Sequence, residues 1–181
     1  LTARASRVAF RAHAPRIGYL GIGSNVGERR AQLQAAVEAL PDAGIEVLAS
    51  SAVYDTDPVG EILDQPSFLN ACLRVRTALE PLALLDVVKG LERELGRAVD
   101  GPRHGPRAID IDILLLGELE LREARMTLPH AQVLTRRFVL IPLLELDFAL
   151  RVPDGRALAD ALVVLPVSEG VRWDSPPLAI S

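Results

Sequence analysis

Between residues 17 and 117 the spacing of apolar side chains switches between the period of a strand and that of a helix in one fixed order, which leaves few topologies open. The segment "IGYLGIG" (17–23) reads as a short apolar strand running into the turn "GSNVGE". In "ERRAQLQAAVEAL" (28–40), Leu33, Ala36, Val37 and Leu40 recur at helical spacing, and Pro41 to Gly44 close the pattern. "IEVLASSAVY" (45–54) reads as a strand, and "DTDPVGEILDQPS" (55–67) as a loop of a length that is uncommon without a function. In "FLNACLRVRT" (68–77), Leu69, Ala71, Leu73 and Val75 share one face, with Phe68, Asn70, Cys72, Arg74 and Arg76 on the other. Pro81 opens a second helix, "PLALLDVVKGLERELGR", whose stripe is Leu84, Val88, Leu91 and Leu95 and whose stop is Gly96. A loop rich in Gly, Pro and Arg (98–107) then leads into the strand "GPRAIDIDILLLG". The order predicts an α+β fold, the ferredoxin-like split βαββαβ arrangement of an antiparallel sheet with two helices on one face. Residues from 118 onward, with a helix-like run at 136–146 and a Pro-rich tail, read as a C-terminal extension capping the same domain.

Bulk properties narrow the function. A chain of 181 residues, 49% hydrophobic and 24% charged, suits one domain, placed at 17–181. A net charge of -4 argues against a general nucleic-acid binder, which needs a clustered positive surplus. Cys72 is alone, so no intrachain disulfide forms; it reads as a packing residue in its strand. No apolar run approaches a membrane span, and the expectation is a cytoplasmic monomer. Residues 1–16 carry Arg4, Arg7, Arg11 and Arg16 without an acid, a bias shared with transit peptides, and are read as a flexible basic extension.

The strand at 105–117 carries a cost that calls for an explanation. Ile109, Ile111 and Ile113 point to one face, and Asp110 and Asp112 to the other, ~7 Å apart along the chain. Like charges side by side raise each other's pKa unless a cation or water compensates them. A carboxylate pair on an open sheet face fits a magnesium site, since this ion takes oxygen ligands from one or two carboxylates and from substrate phosphates. Two ions about 4 Å apart could share the pair. A D-x-D motif alone favours a solvated strand face over a metal site. Arg97, Arg103 and Arg107 before it, and His130, Arg136 and Arg137 after it, add the cations a phosphate substrate needs, although each could also be an ordinary surface residue. "GIGSNVGE" has the wrong glycine spacing for a dinucleotide fingerprint and reads as a tight turn. Trp173 in the tail is assigned to packing.

With those residues in place, the chain resembles the hydroxymethyldihydropterin pyrophosphokinase family of folate biosynthesis. The likeness is collinear from about residue 17 to 155 through "GIGSNVGE", "YDTDPVG", "QPSFLNA", "ELGR", "GPRAIDIDILLLG" and "LPHAQVLTRRFVLIPLLEL". It implies transfer of the terminal pyrophosphate of ATP to 6-hydroxymethyl-7,8-dihydropterin, leaving AMP, with two Mg²⁺ ions held by Asp110 and Asp112. Arg97 and Arg107 match phosphate-contacting arginines, and Glu92, Ile113, His130 and Arg136 match further ATP contacts. Phe68 and Phe138 match the aromatics that sandwich the pterin, Asn70 the amide that bonds its polar edge, and Thr56 and Val59 the pocket lining; Asp110 also faces the pterin. A flat heterocycle suits two aromatic faces and an amide with donor and acceptor in one plane. The sequence departs from the pattern at His104, where the family often has tryptophan, and at Lys89, where glutamine is common. Both departures are expected to affect loop closure or ATP contact rather than metal binding. A ferredoxin-like binding module that kept the scaffold without the chemistry is the competing reading. An RNA-binding sheet fails, because its exposed strands would carry aromatics where this one carries acid.

Overall fold

In the computed structural model, residues 14–58, 64–96, 107–167 and 170–180 are described. The elements run β1 (Arg16–Ser24), α1 (Arg29–Ala39), β2 (Ile45–Ser50), β3 (Val53–Thr56), β4 (Phe68–Thr77), α2 (Pro81–Glu94), β5 (Asp110–Leu116), β6 (Leu121–Glu123), β7 (Met126–Leu128), α3 (Arg137–Leu146), α4 (Leu158–Val164) and β8 (Val171–Ser175). The main sheet has the order β5-β1-β4-β3-β8, with β2 also on β4, and every pairing is antiparallel. From β1 to β5 the elements follow the expected strand-helix order except at one strand.

The expected single strand at 45–54 is two strands. A bulge at Leu48 shifts the β2 register, and Ser51 then turns the chain: its Oγ accepts from Cys72 N at 2.9 Å and donates to Ala52 O at 2.8 Å. Both β2 and β3 remain on the same edge of β4. The loop-to-helix turn after β1 is as expected, with Gly27 at φ 66 supplying the left-handed residue.

One face of the sheet is covered by α1 and α2. Leu33, Ala36 and Val37 of α1 and Leu84, Val88 and Leu91 of α2 pack against Leu20, Ile22, Leu73, Val75, Ile109, Ile111 and Ile113. Fully burying each such side chain stabilises by about 1.5–3 kcal/mol, so slipping β5 by one residue would expose isoleucines and bury both aspartates. That penalty fixes Asp110 and Asp112 on the opposite face.

The opposite face is less open than the sequence suggested. Helices α3 and α4 lie on it, and Val139, Leu140, Leu143 and Leu158 pack with Tyr19, Cys72, Leu114 and Leu115. A bulge in β5 makes this second core possible: Leu20 pairs Ile113 but Tyr19 pairs Leu115, so Leu114 and Leu115 both turn toward α3 and Leu116 returns to the helix side. Cys72 is buried in this layer, as a packing residue should be. Among the described residues, this packing leaves the end of the face carrying Asp110, Asp112 and Asn70 uncovered by α3 and α4. The tail is more than a cap, since β8 adds a strand to β3, and there Trp173 stands 63% exposed rather than packed.

Candidate active site

The register aligns the site in one row. Asp110 on β5 pairs Gly23 on β1, Gly23 pairs Asn70 on β4, and Asn70 pairs Tyr54 on β3. Asp112 lies beside Gly21 in the row behind. The two glycines keep the floor between acid and amide free of side chains. A Cβ on Gly23 would stand 2.6 Å from Asn70 Oδ1, so the absence of a side chain there lets the amide lie flat against β1.

On the acid side, β5 is the edge strand, and its outward backbone groups at Ile111 are satisfied by α2 instead of by a neighbouring strand. Glu92, 1% exposed, accepts from Ile111 N at 2.7 Å, and Lys89 donates to Ile111 O at 3.1 Å and to Glu92 Oε1 at 2.7 Å. Lys89 Nζ thereby stands 4.0 Å from Asp110 Oδ1 and 3.9 Å from Asp112 Oδ1. Lys89, one helical turn before Glu92, is thus anchored on the strand between the two aspartates. Arg107 donates to the other oxygen of Asp110, at 2.6 Å.

These neighbours set the acidities. Burial, followed by the charge of Asp110, pushes the Asp112 carboxyl up, against the opposing pull of Lys89, His130 and Arg107. Its side chain nonetheless keeps 44% of its surface exposed, and among the described residues its carboxylate accepts no hydrogen bond, so its oxygens face outward. Burial also pushes Glu92 up, opposed by Lys89 and by the bond from Ile111.

His130 follows β7. Its Nδ1 accepts from Gln132 N at 3.2 Å, which leaves Nε2 to carry the ring proton and donate outward. Arg136 precedes the first turn of α3, and Phe138 lies within that turn, partly buried against the second core. Arg137 serves the fold instead, donating to Leu162 O and Leu165 O at the end of α4, at 3.3 and 3.4 Å. Ile113, 5% exposed, sits in the helix-side core.

On the amide side, Asn70 Nδ2 donates to the buried Thr56 Oγ1 at 2.6 Å, and Phe68 lies opposite Thr56. Of the expected residues, Arg97 and Val59 lie outside the described residues, as do Arg103 and His104. Asn25 went unnoticed in the sequence. Buried at the end of β1, it donates to Gln65 Oε1 and Pro66 O at 3.0 and 3.1 Å and accepts from Arg107 N at 2.8 Å, so one side chain ties together the two segments that flank the site. Its signal was a polar residue at a strand-to-helix turn, "GSN".

Among the described residues no three His, Cys, Asp or Glu side chains gather as a ready metal centre. The pair Asp110 and Asp112 still fits magnesium, because this ion uses one or two carboxylates and completes its shell with water and substrate oxygens.

Comparison with known proteins bears on the family and the fold. The family model described as 7,8-dihydro-6-hydroxymethylpterin-pyrophosphokinase matches residues 19–148. A Pseudomonas aeruginosa 2-amino-4-hydroxy-6-hydroxymethyldihydropteridine pyrophosphokinase is 44% identical, the match covering 85% of this chain and 94% of that one. The protein of the same name from Methylorubrum extorquens is 45% identical over 83% of this chain and 94% of its own. A crystal structure of Plasmodium falciparum HPPK-DHPS, 14% identical, superposes with a TM-score of 0.66 over 85% of this chain and 46% of that one, which supports the fold. The chain belongs to the 7,8-dihydro-6-hydroxymethylpterin-pyrophosphokinase family.

Proposed function

We propose that this chain transfers pyrophosphate from ATP to 6-hydroxymethyl-7,8-dihydropterin in folate biosynthesis, with magnesium held at Asp110 and Asp112. The observation that carries the reading is the single cross-strand row in which Asp110 and Asn70 face each other across Gly23. On this reading the acid that would hold the metal stands near the amide that would bond the pterin edge. In the reaction the pterin hydroxyl oxygen bonds to the β-phosphorus of ATP, the bond from that phosphorus to the α–β bridging oxygen breaks, and AMP leaves with the electron pair.

The protein's share is alignment and charge. Asn70, steadied by Thr56, offers donor and acceptor to the heterocycle, with Phe68 and Phe138 as its aromatic walls and Val59 as further lining. Arg107, Arg97, Arg136 and the Nε2 proton of His130 meet the phosphates, while Glu92 and Ile113 shape the nucleotide side. Such a transfer needs no protein nucleophile, because positioned cations neutralise the charge that moves to the leaving group. Bound magnesium would supply part of that neutralisation. The carboxylate of Asp112, whose affinity for a proton is increased by burial and by the charge of Asp110, would receive the alcohol proton.

The test is product identity. Incubation with ATP, Mg²⁺ and the hydroxymethyl dihydropterin should yield AMP and the pterin diphosphate, and Asp110→Ala and Asp112→Ala should each lose activity while keeping the melting temperature near that of the parent. Release of ADP would overturn the reading. So would full activity in either variant.

A further inference from the structure

The Lys89 ammonium presents a problem of charge. Within 4.0 Å of Nζ lie oxygens of Glu92, Asp110 and Asp112, and Arg107 sits on the remaining oxygen of Asp110. The ammonium thus stands beside both aspartates. A divalent cation arriving alone would meet a charge of like sign. One arriving on a polyphosphate would bring its own counter-charge, and the ammonium would then attract the complex.

Lys89 is also hard to displace. Its Nζ holds Ile111 O at 3.1 Å and the buried Glu92 at 2.7 Å, so swinging away would take a donor from an edge carbonyl and the charged partner from a buried carboxylate. The charge is a fixed part of the site's wall.

We propose that Lys89 is a selectivity residue: it disfavours free divalent cations at Asp110 and Asp112 and favours a metal–polyphosphate complex. This rests on the reading of those aspartates as metal ligands. A neutral amide at position 89 would keep a donor for Ile111 O without repelling a cation.

The experiment measures Mn²⁺ binding directly, by the electron paramagnetic resonance signal of the free ion, with and without a non-hydrolysable ATP analogue. The parent should bind Mn²⁺ alone far more weakly than Mn²⁺ with the analogue. Lys89→Gln should tighten Mn²⁺ alone by roughly tenfold, the scale expected for removing a like charge that stands beside both carboxylates in a half-exposed site. It should leave the metal–nucleotide complex equal or weaker. Lys89→Arg, which keeps the charge, should behave as the parent.

A parent that takes free Mn²⁺ as tightly as Mn²⁺ with analogue overturns the proposal without any variant. A Lys89→Gln protein with parental affinity for free Mn²⁺ overturns it too, as does a Lys89→Arg protein that matches Lys89→Gln. In those cases retained binding of the metal–nucleotide complex, lost in Asp112→Asn, leaves the metal reading standing. If the parent binds no Mn²⁺ even with the analogue, the metal reading and this proposal fall together.

Discussion

Replacing Gly23 with alanine should separate pterin recognition from both stability and nucleotide binding. The new Cβ would lie 2.6 Å from Asn70 Oδ1, while carbon and oxygen settle at about 3.3 Å, so the amide must retreat by about 0.7 Å. It cannot retreat freely, since Nδ2 is held by Thr56 Oγ1 at 2.6 Å and Thr56 is buried. The fold loses at most that hydrogen bond, about 1 kcal/mol, and recovers about 0.4–1 kcal/mol because alanine is less free than glycine in the unfolded chain. Stability should therefore stay within about 1 kcal/mol of the parent. A ligand that needs donor and acceptor of the displaced amide in one plane loses much more, because a misplacement of about 1 Å can cost up to ~100-fold. Steady-state AMP release should show the KM for the dihydropterin raised about tenfold or more, with the KM for ATP within about twofold. An unchanged pterin KM in a folded Gly23→Ala protein would refute the assignment of Asn70. Equal rises for both substrates would mean that the whole row had shifted and the local argument was wrong.

Glu92→Ala should lower the urea-unfolding free energy by roughly 2–3 kcal/mol, because it strands the Ile111 N–H at a buried edge; Glu92→Gln, which keeps an acceptor, should lose less. For Asp55, burial raises the pKa, but hydrogen bonds from Arg172, Ser67 and Arg29 outweigh it and hold the carboxyl below its ordinary value. The folded chain therefore takes up that proton less readily than the unfolded one: the stabilisation is complete above about pH 4 and disappears as pH falls through the native pKa. Asp55→Asn should accordingly flatten the acid limb of stability against pH between about pH 5 and pH 2, and an unchanged limb would count against the cluster. His130→Asn keeps an acceptor near Gln132 N and loses the outward Nε2 donor, so the KM for ATP should rise about tenfold at constant melting temperature; a fall in melting temperature alone would mark His130 as structural.

What the sequence revealed and what it hid divide along a physical line. The acid pair was legible because Ile109, Ile111 and Ile113 must face a core, and a strand that buries one face commits the other. Asn70 was legible by the same alternation on β4. Helices α1 and α2 announced themselves by stripes of apolar residues, and α3 by its run of apolar side chains. β8 was hidden, because the alternation in Val171–Ser175 rests on only two apolar residues, Val171 and Trp173, in a Pro-rich tail. Its place is held by contacts distant in sequence, with Arg172 on Asp55 and Asp57 and Ser175 accepting from Arg30. The packing role given to Trp173 failed because β8 is the edge strand, where the ring stands 63% exposed. The role of Lys89 was hidden more deeply. Position 89 follows Val88 of the apolar stripe, and nothing in the helical pattern says that the edge of β5 lies alongside or that Ile111 needs partners there. Once α2 supplies them, geometry leaves the ammonium between two aspartates. Local periodicity can therefore predict which groups a site must neutralise, but the side chain that neutralises them is chosen by which element crosses the strand's free edge.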